Sequence, residues 1–248
     1  MKKRMSKIMN LFLLVVLVGL FIFSSFQIIC WFLNNKENKK INETTHKYII
    51  KGGKEKYSID FKKLKDLNED TVAYIKVNNT NIDYVVVQGK DNEYYLSHNF
   101  NKEYNKSGWI FADSSNKFDG TDRNIVIYGH NTVDKSMFGS LKFILEENWY
   151  QNENNRTVIL VTENGLEKYE VFSIYKIDNE EYYIQTNLED DSKFEKFLNT
   201  IKSRSIYDYG TEVSIDDHIL TLSTCSNSGK KRVVLHAKKI IDNVETTN

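Results

Sequence analysis

Two side chains in the stretch TLSTCSNSGKKR, residues 221–232, could carry out acyl transfer: the thiol of Cys225 and, seven residues on, the guanidinium of Arg232. A free cysteine with a pKa near ~8.5 is mostly protonated at neutral pH, so it needs a base or a cation beside it before it can attack a carbonyl. The second cysteine, Cys30, lies in an apolar run near the N-terminus and offers Cys225 no evident disulfide partner. Of the five histidines, His130 best supplies the base, because it ends the strand-like run NIVIYGH directly after Gly129. His46 falls in a polar segment and His98 in an apparent loop, while His218 and His236 lie in or beside strands that alternation could bury or expose without function. A guanidinium fixed near the thiol would stabilise negative charge on a carbonyl oxygen under attack, or hold the substrate carbonyls in place. The bland alternatives are a strand-end histidine capped by its neighbours, an inert buried cysteine, and an arginine in a solvated cluster with Lys230 and Lys231.

The elements that must position these groups are mostly strands. HILTLSTC (218–225) and RVVLHAKKI (232–240) are separated by SNSGKK, short enough to join antiparallel neighbours, which puts Cys225 and Arg232 at one end of a sheet. Alternation from Cys225 places Ser223 and Thr221 on its face. Further β-branched and aromatic runs are AYIKV from Ala73, IDYVVVQ, WIFA, NIVIYGH, RTVILVT and EKYEVFSIYKI, with Asn164 and Gly165 forming a hairpin signal. Ser58 could cap a short helix carrying Phe61, Leu64 and Leu67, and MFGSLKFILE (137–146) reads as helical. DDSKFEKFLNTIKSR (190–204) sets Phe194, Phe197, Leu198 and Ile201 on one face, a docking stripe rather than a ligand site. Many short strands with few helices imply one mostly antiparallel β-barrel or sandwich.

Residues 8–33 form an uncharged run of 26, longer than the ~20 helical residues needed to cross a bilayer and too long for the usual apolar region of a cleaved signal peptide. MKKRMSK in front of it carries four positive charges and no acid, which favours a cytoplasmic N-terminus (residues 1–7) and an extracellular remainder. Residues 34–57 are polar and charged, fitting a stalk or linker, and residues 58–248 follow as the catalytic domain. The chain has 34 basic and 34 acidic residues with no basic stripe, so nucleic acid is not an expected partner. There is no CxxC, no HExxH and no glycine-rich phosphate loop, and neither metal nor cofactor is expected.

TLSTC followed by RVVL, the upstream IYGHN, the segment AYIKVNNTNIDYVVVQGKDNEYYLSHNF with KSGWIFAD, and the apolar N-terminal anchor together resemble the sortases, membrane-anchored cysteine transpeptidases of Gram-positive bacteria, and in particular their class B branch. That resemblance implies a closed eight-stranded β-barrel with an N-terminal helix and an amphipathic helix before the last two strands, behind a transmembrane helix. It implies Cys225 as nucleophile, His130 as general acid and base, and Arg232 as substrate clamp and oxyanion stabiliser. Ser223, Asn92, Leu96, Tyr183 and Ile184 would line the groove for a C-terminal sorting signal, with asparagine-proline pentapeptides among the family's signals. The partners implied are exported proteins bearing that signal, a peptidoglycan precursor or cross-bridge amine as acceptor, and membrane lipid around residues 8–33. Class B carries no calcium site, so Glu180 and Glu181 are expected to be a solvated turn. A cysteine hydrolase with the same three residues is the competing reading, and a non-catalytic surface module the third.

Overall fold

The structure is a computed structural model that describes residues 2–52, 56–178, 180–225 and 231–240. Helix α1 runs unbroken over Lys2–Thr45, and its side chains from Ile8 to Leu33 are almost all exposed, as lipid-facing residues of a spanning helix would be. It is one N-terminal helix long and apolar enough to cross a membrane. The polar segment after the apolar run is not a loose spacer. Its first part continues α1 to Thr45, a 3-10 turn covers His46–Tyr48, and strands β1 (Ile49–Gly52) and β2 (Lys56–Ile59) pair as a hairpin. Composition misled here because the helix is polar for a reason: its Asn residues bind the barrel, as described below.

Ser58 lies in β2 and caps nothing; Asp60 caps α2 (Phe61–Leu67), its carboxylate accepting from the Lys63 N–H at 3.0 Å. Strands β3 (Thr71–Val77), β4 (Asp83–Val87), β5 (Phe111–Ala112), β6 (Asn124–His130), β7 (Thr157–Thr162), β8 (Gly165–Ile177), β9 (Ile219–Cys225) and β10 (Arg232–Ile240) close into a barrel in the order β10-β8-β7-β3-β4-β5-β6-β9. The WIFA run contributes only its last two residues as strand. The 137–146 run forms a 3-10 turn, Leu141–Leu145, followed by the short helix α3 (Glu147–Gln151).

Most ladders are antiparallel, but β6 and β9 pair in parallel across the whole of both strands. A parallel neighbour needs a long crossover, and here β7, β8 and helix α4 (Asp191–Ser203) intervene. β6 is buried along its whole length and β9 up to its last residue, the pattern of central strands covered on both faces. One apolar cluster fills the barrel; a second lies between its outer face and α4, whose Phe194, Phe197, Leu198 and Ile201 are all buried. Each such side chain contributes roughly 1.5–3 kcal/mol of burial energy, enough to hold α4 over β8 and fix what lies beneath it. Tyr183 is among those residues.

Candidate active site

The parallel register sets His130 directly opposite Cys225 at the shared C-terminal end of β6 and β9. Adjacent strands lie about 4.8 Å apart, so two side chains leaving partnered positions on the same face are neighbours. Gly129 is needed one residue earlier, since a Cβ there would approach Phe138 Cγ to 2.7 Å. The strand end is then fixed by the chain that follows: the His130 carbonyl accepts from the Thr132 and Phe138 N–H groups at 3.1 and 3.0 Å.

His130 is only 6% exposed, and its Nε2 lies 2.7 Å from the Leu96 carbonyl oxygen. A carbonyl only accepts, so Nε2 carries the hydrogen and Nδ1 is left as the basic nitrogen. Burial lowers the His130 pKa from 6.5, with the Leu96 contact opposing. At Cys225 burial pushes the thiol up to about 12, opposed by the Arg232 guanidinium and by the Gly129 backbone. The resting pair is therefore a neutral thiol beside a neutral imidazole.

Arg232 starts β10 at the same end of the barrel. Its Nη1 donates to the Tyr183 hydroxyl at 3.2 Å, and Tyr183 in turn shares a 3.0 Å hydrogen bond with Ser223 Oγ. Both Tyr183 and Ser223 are fully buried, so this chain anchors the guanidinium in the protein interior. The Arg232 Nε is buried and has no hydrogen-bond partner among the described residues. Most of the connecting loop, residues 226–230, lies outside the described residues.

The other residues expected from sequence to line a groove have different surroundings. Leu96 belongs to His130 through its carbonyl. Ile184 is half-buried against both apolar clusters. Asn92 has both ends of its amide engaged: Nδ2 donates to Asp113 Oδ2 and Oδ1 accepts from the Ser114 N–H, each at 2.8 Å. Asp113 also receives the Tyr128 hydroxyl at 2.8 Å, from a residue two before His130. Asp113 and Tyr128 were not singled out from sequence; the available signal was an acid placed directly after the buried WIFA run.

A second buried network was missed for the same reason, that its members are distant in sequence. Thr221 Oγ1 donates to Asn124 Oδ1 at 2.7 Å, so it accepts from His236 Nδ1 at 2.9 Å, and His236 Nε2 accepts from the Tyr175 hydroxyl at 2.8 Å. Asn124 Nδ2 then donates to the Gln185 carbonyl at 2.9 Å, pinning the chain next to Tyr183 and Ile184. Burial holds the His236 pKa down at about 3, so this histidine is a neutral structural member and no competitor to His130. Among the described residues no group of three or more His, Cys, Asp or Glu side chains converges to hold a metal ion; Glu180 and Glu181 are exposed, with Glu180 4.0 Å from Arg204.

The Sortase domain family matches residues 75–240, which include the whole barrel from within β3. The chain is 34% identical over 238 residues to Sortase B of Listeria monocytogenes, covering 92% of this chain and 95% of that one, and 30% identical over 232 residues to Sortase B of Staphylococcus aureus, covering 91% and 94%. Among solved structures, a sortase B from Bacillus anthracis aligns with a TM-score of 0.75 at 35% identity over 84% of this chain and 99% of its own. A sortase B from Clostridium perfringens aligns with a TM-score of 0.68 at 41% identity over 73% and 100%. With the barrel, the neighbouring thiol and imidazole, and these relatives agreeing, the chain belongs to the sortase family, as a class B sortase and a cysteine transpeptidase.

Proposed function

We propose that Cys225 is the nucleophile, His130 the general acid and base, and Arg232 the clamp on the substrate carbonyl, in a reaction that anchors exported proteins to the cell wall. The observation that best supports this is the β6/β9 register, in which His130 and Cys225 are partners. Cys225 is also the only cysteine within the family-matched residues 75–240. The thiol attacks the carbonyl before the scissile bond of a C-terminal sorting signal while His130 Nδ1 takes its proton. The same proton then passes to the departing amine, leaving a thioester on Cys225. A peptidoglycan amine resolves the thioester, losing a proton to His130 and regenerating the thiol. The Arg232 guanidinium, held at Nη1 by Tyr183, would turn its remaining donors to the oxygen on which charge develops.

The substrates on this reading are exported proteins with an asparagine-proline type of signal, and residues 8–33 are the membrane span. Residues 1–7 are cytoplasmic, residues 34–57 join anchor to barrel, and residues 58–248 form an extracellular catalytic domain, as the positive N-terminal flank favours. Transfer and hydrolysis are separated by one assay. The full chain in lipid nanodiscs, given an Asn-Pro pentapeptide and rising concentrations of a glycine-based amine, is expected to divert product from the free acid to the amide. Product that stays as free acid at saturating amine would assign a hydrolase instead.

The protonation states set a pH profile. With burial lowering the imidazole below 6.5 and raising the thiol to about 12, the neutral thiol–imidazole form far outweighs the thiolate–imidazolium form at rest. Both forms hold the same single proton, so the reactive state spans the interval between the two pKa values. kcat/KM for peptide cleavage is expected to fall on an acidic limb with an apparent pKa below 6.5, as His130 gains a second proton, and to stay level through pH 9. A rate still climbing tenfold per pH unit between 7 and 9 would mean that the doubly deprotonated site reacts, contrary to this assignment.

A further inference from the structure

The anchor helix ends against the loop that holds the His130 acceptor. Asn34, Asn38, Ile41 and Thr45 recur at spacings of four, three and four, one stripe of α1, and the last three are buried on the barrel. Asn38 is 2% exposed; its Nδ2 donates to the Gly108 carbonyl at 3.1 Å, and its Oδ1 accepts from Asn105 Nδ2 at 3.1 Å. Asn105 also donates to the Asn34 carbonyl at 3.1 Å, and Ser107 Oγ donates to Asn35 Oδ1 at 2.8 Å. Four consecutive loop residues, 105–108, are thereby tied to the helix, since Lys106 Nζ reaches Gln27 Oε1 at 2.8 Å.

Gly108 is the link to the chemistry. It sits at φ +56°, and a Cβ there would collide with the Tyr95 carbonyl and come within 2.9 Å of Leu96 O and 3.0 Å of His130 Cδ2. The Gly108 backbone thus packs directly against the carbonyl that takes the His130 Nε2 hydrogen. The Leu96 oxygen accepts from Nε2 at 2.7 Å, a contact that selects the Nε2–H tautomer and leaves Nδ1 as the basic nitrogen.

We propose that Asn38, in the anchor helix and outside the family-matched residues 75–240, is a positioning residue that sets the tautomer and orientation of His130 through Gly108 and Leu96. The inference rests on His130 as the acid–base group. It gives the docked end of α1 a role in turnover as well as in attachment. The buried Asn38 amide is specific to this role, because the neighbouring Asn35 binds the same loop through Ser107 without touching Gly108.

The experiment uses the full chain in nanodiscs, labelled with 15N-histidine, as wild type, Asn38→Ala, Asn38→Asp and Asn35→Ala. Asn38→Asp keeps an acceptor for Asn105 but loses the donor to Gly108. In wild type and Asn35→Ala, His130 is expected to give imidazole 15N shifts of a single Nε2–H tautomer and normal cleavage of an Asn-Pro pentapeptide. In both Asn38 variants a mixed tautomer and a kcat lower by about 10- to 100-fold are expected, with little change in KM. Asn38 variants that keep the pure Nε2–H tautomer, whatever their kcat, overturn the proposal. A mixed tautomer with full kcat would uphold the coupling of α1 to His130 and count against the acid–base role itself, so the two failures are told apart.

Discussion

Cys225→Ala in the full chain is expected to abolish cleavage and transfer of a sorting peptide, a loss of about 10^4-fold or more in kcat, while the folded state survives. The reason is chemical: alanine has no nucleophile and Ser223, two residues away on the same face, cannot replace it. Its hydroxyl is fully buried and committed to Tyr183 at 3.0 Å. The fold should tolerate the change because Cys225 is the last, partly exposed residue of β9, and the cost of removing one sulfur there is on the order of 1 kcal/mol. His130→Ala should fall nearly as far, since general acid–base catalysis accounts for about 10^2–10^4-fold and the proposed mechanism uses one imidazole in both half-reactions. The pair should also be non-additive, with the double variant no slower than Cys225→Ala alone. Turnover and surface display unchanged in Cys225→Ala, with matched melting temperatures, would leave the site without its nucleophile.

Arg232→Ala is the second large effect, expected to lower kcat/KM by about 10^2–10^3-fold, the usual range for losing a fixed donor to a developing oxyanion. Arg232→Lys is expected to recover little of it. Lysine keeps the charge but presents a single ammonium, whereas arginine uses Nη1 to hold Tyr183 at 3.2 Å and, on the proposed reading, still has donors left for the substrate. The thiol should move as well, because the guanidinium opposes the burial that raises the Cys225 pKa. Alkylation of Cys225 by iodoacetamide, followed against pH, should shift its midpoint upward in Arg232→Ala and less in Arg232→Lys. A lysine variant with full kcat/KM would reduce Arg232 to a general positive charge.

The sequence made the site's ends legible but not its supports. Cys225 and Arg232 could be placed together because a short loop joins two alternating strands, and His130 because a strand-end histidine after glycine is a recognisable arrangement. What could not be read was that β6 and β9 are parallel neighbours, since strand order across a long crossover leaves no local trace. The same limit hid Asp113 with Tyr128, and His236 with Thr221 and Asn124, whose partners are brought together only by barrel closure. The helical order of residues 34–45 was not legible for a different reason. Polar composition fitted a spacer, yet Asn38 is polar because its amide binds the Gly108 carbonyl on a buried face, where an apolar residue would leave that carbonyl unpaired. Ser58 likewise lost the cap to Asp60 by two residues, a shift that the neighbouring β1–β2 hairpin imposed.

The most direct test of the thioester mechanism is the intact mass of the enzyme during the first half-reaction. The full chain in nanodiscs is mixed with an Asn-Pro pentapeptide in the absence of amine, quenched in acid within a turnover, and digested for peptide mapping. The expected result is an added mass equal to the N-terminal acyl fragment, carried on the peptide containing Cys225, removed by hydroxylamine, and missing in Cys225→Ala. Cleaved peptide accumulating with no covalent adduct, or an adduct mapped to Cys30 or any other residue, would contradict it.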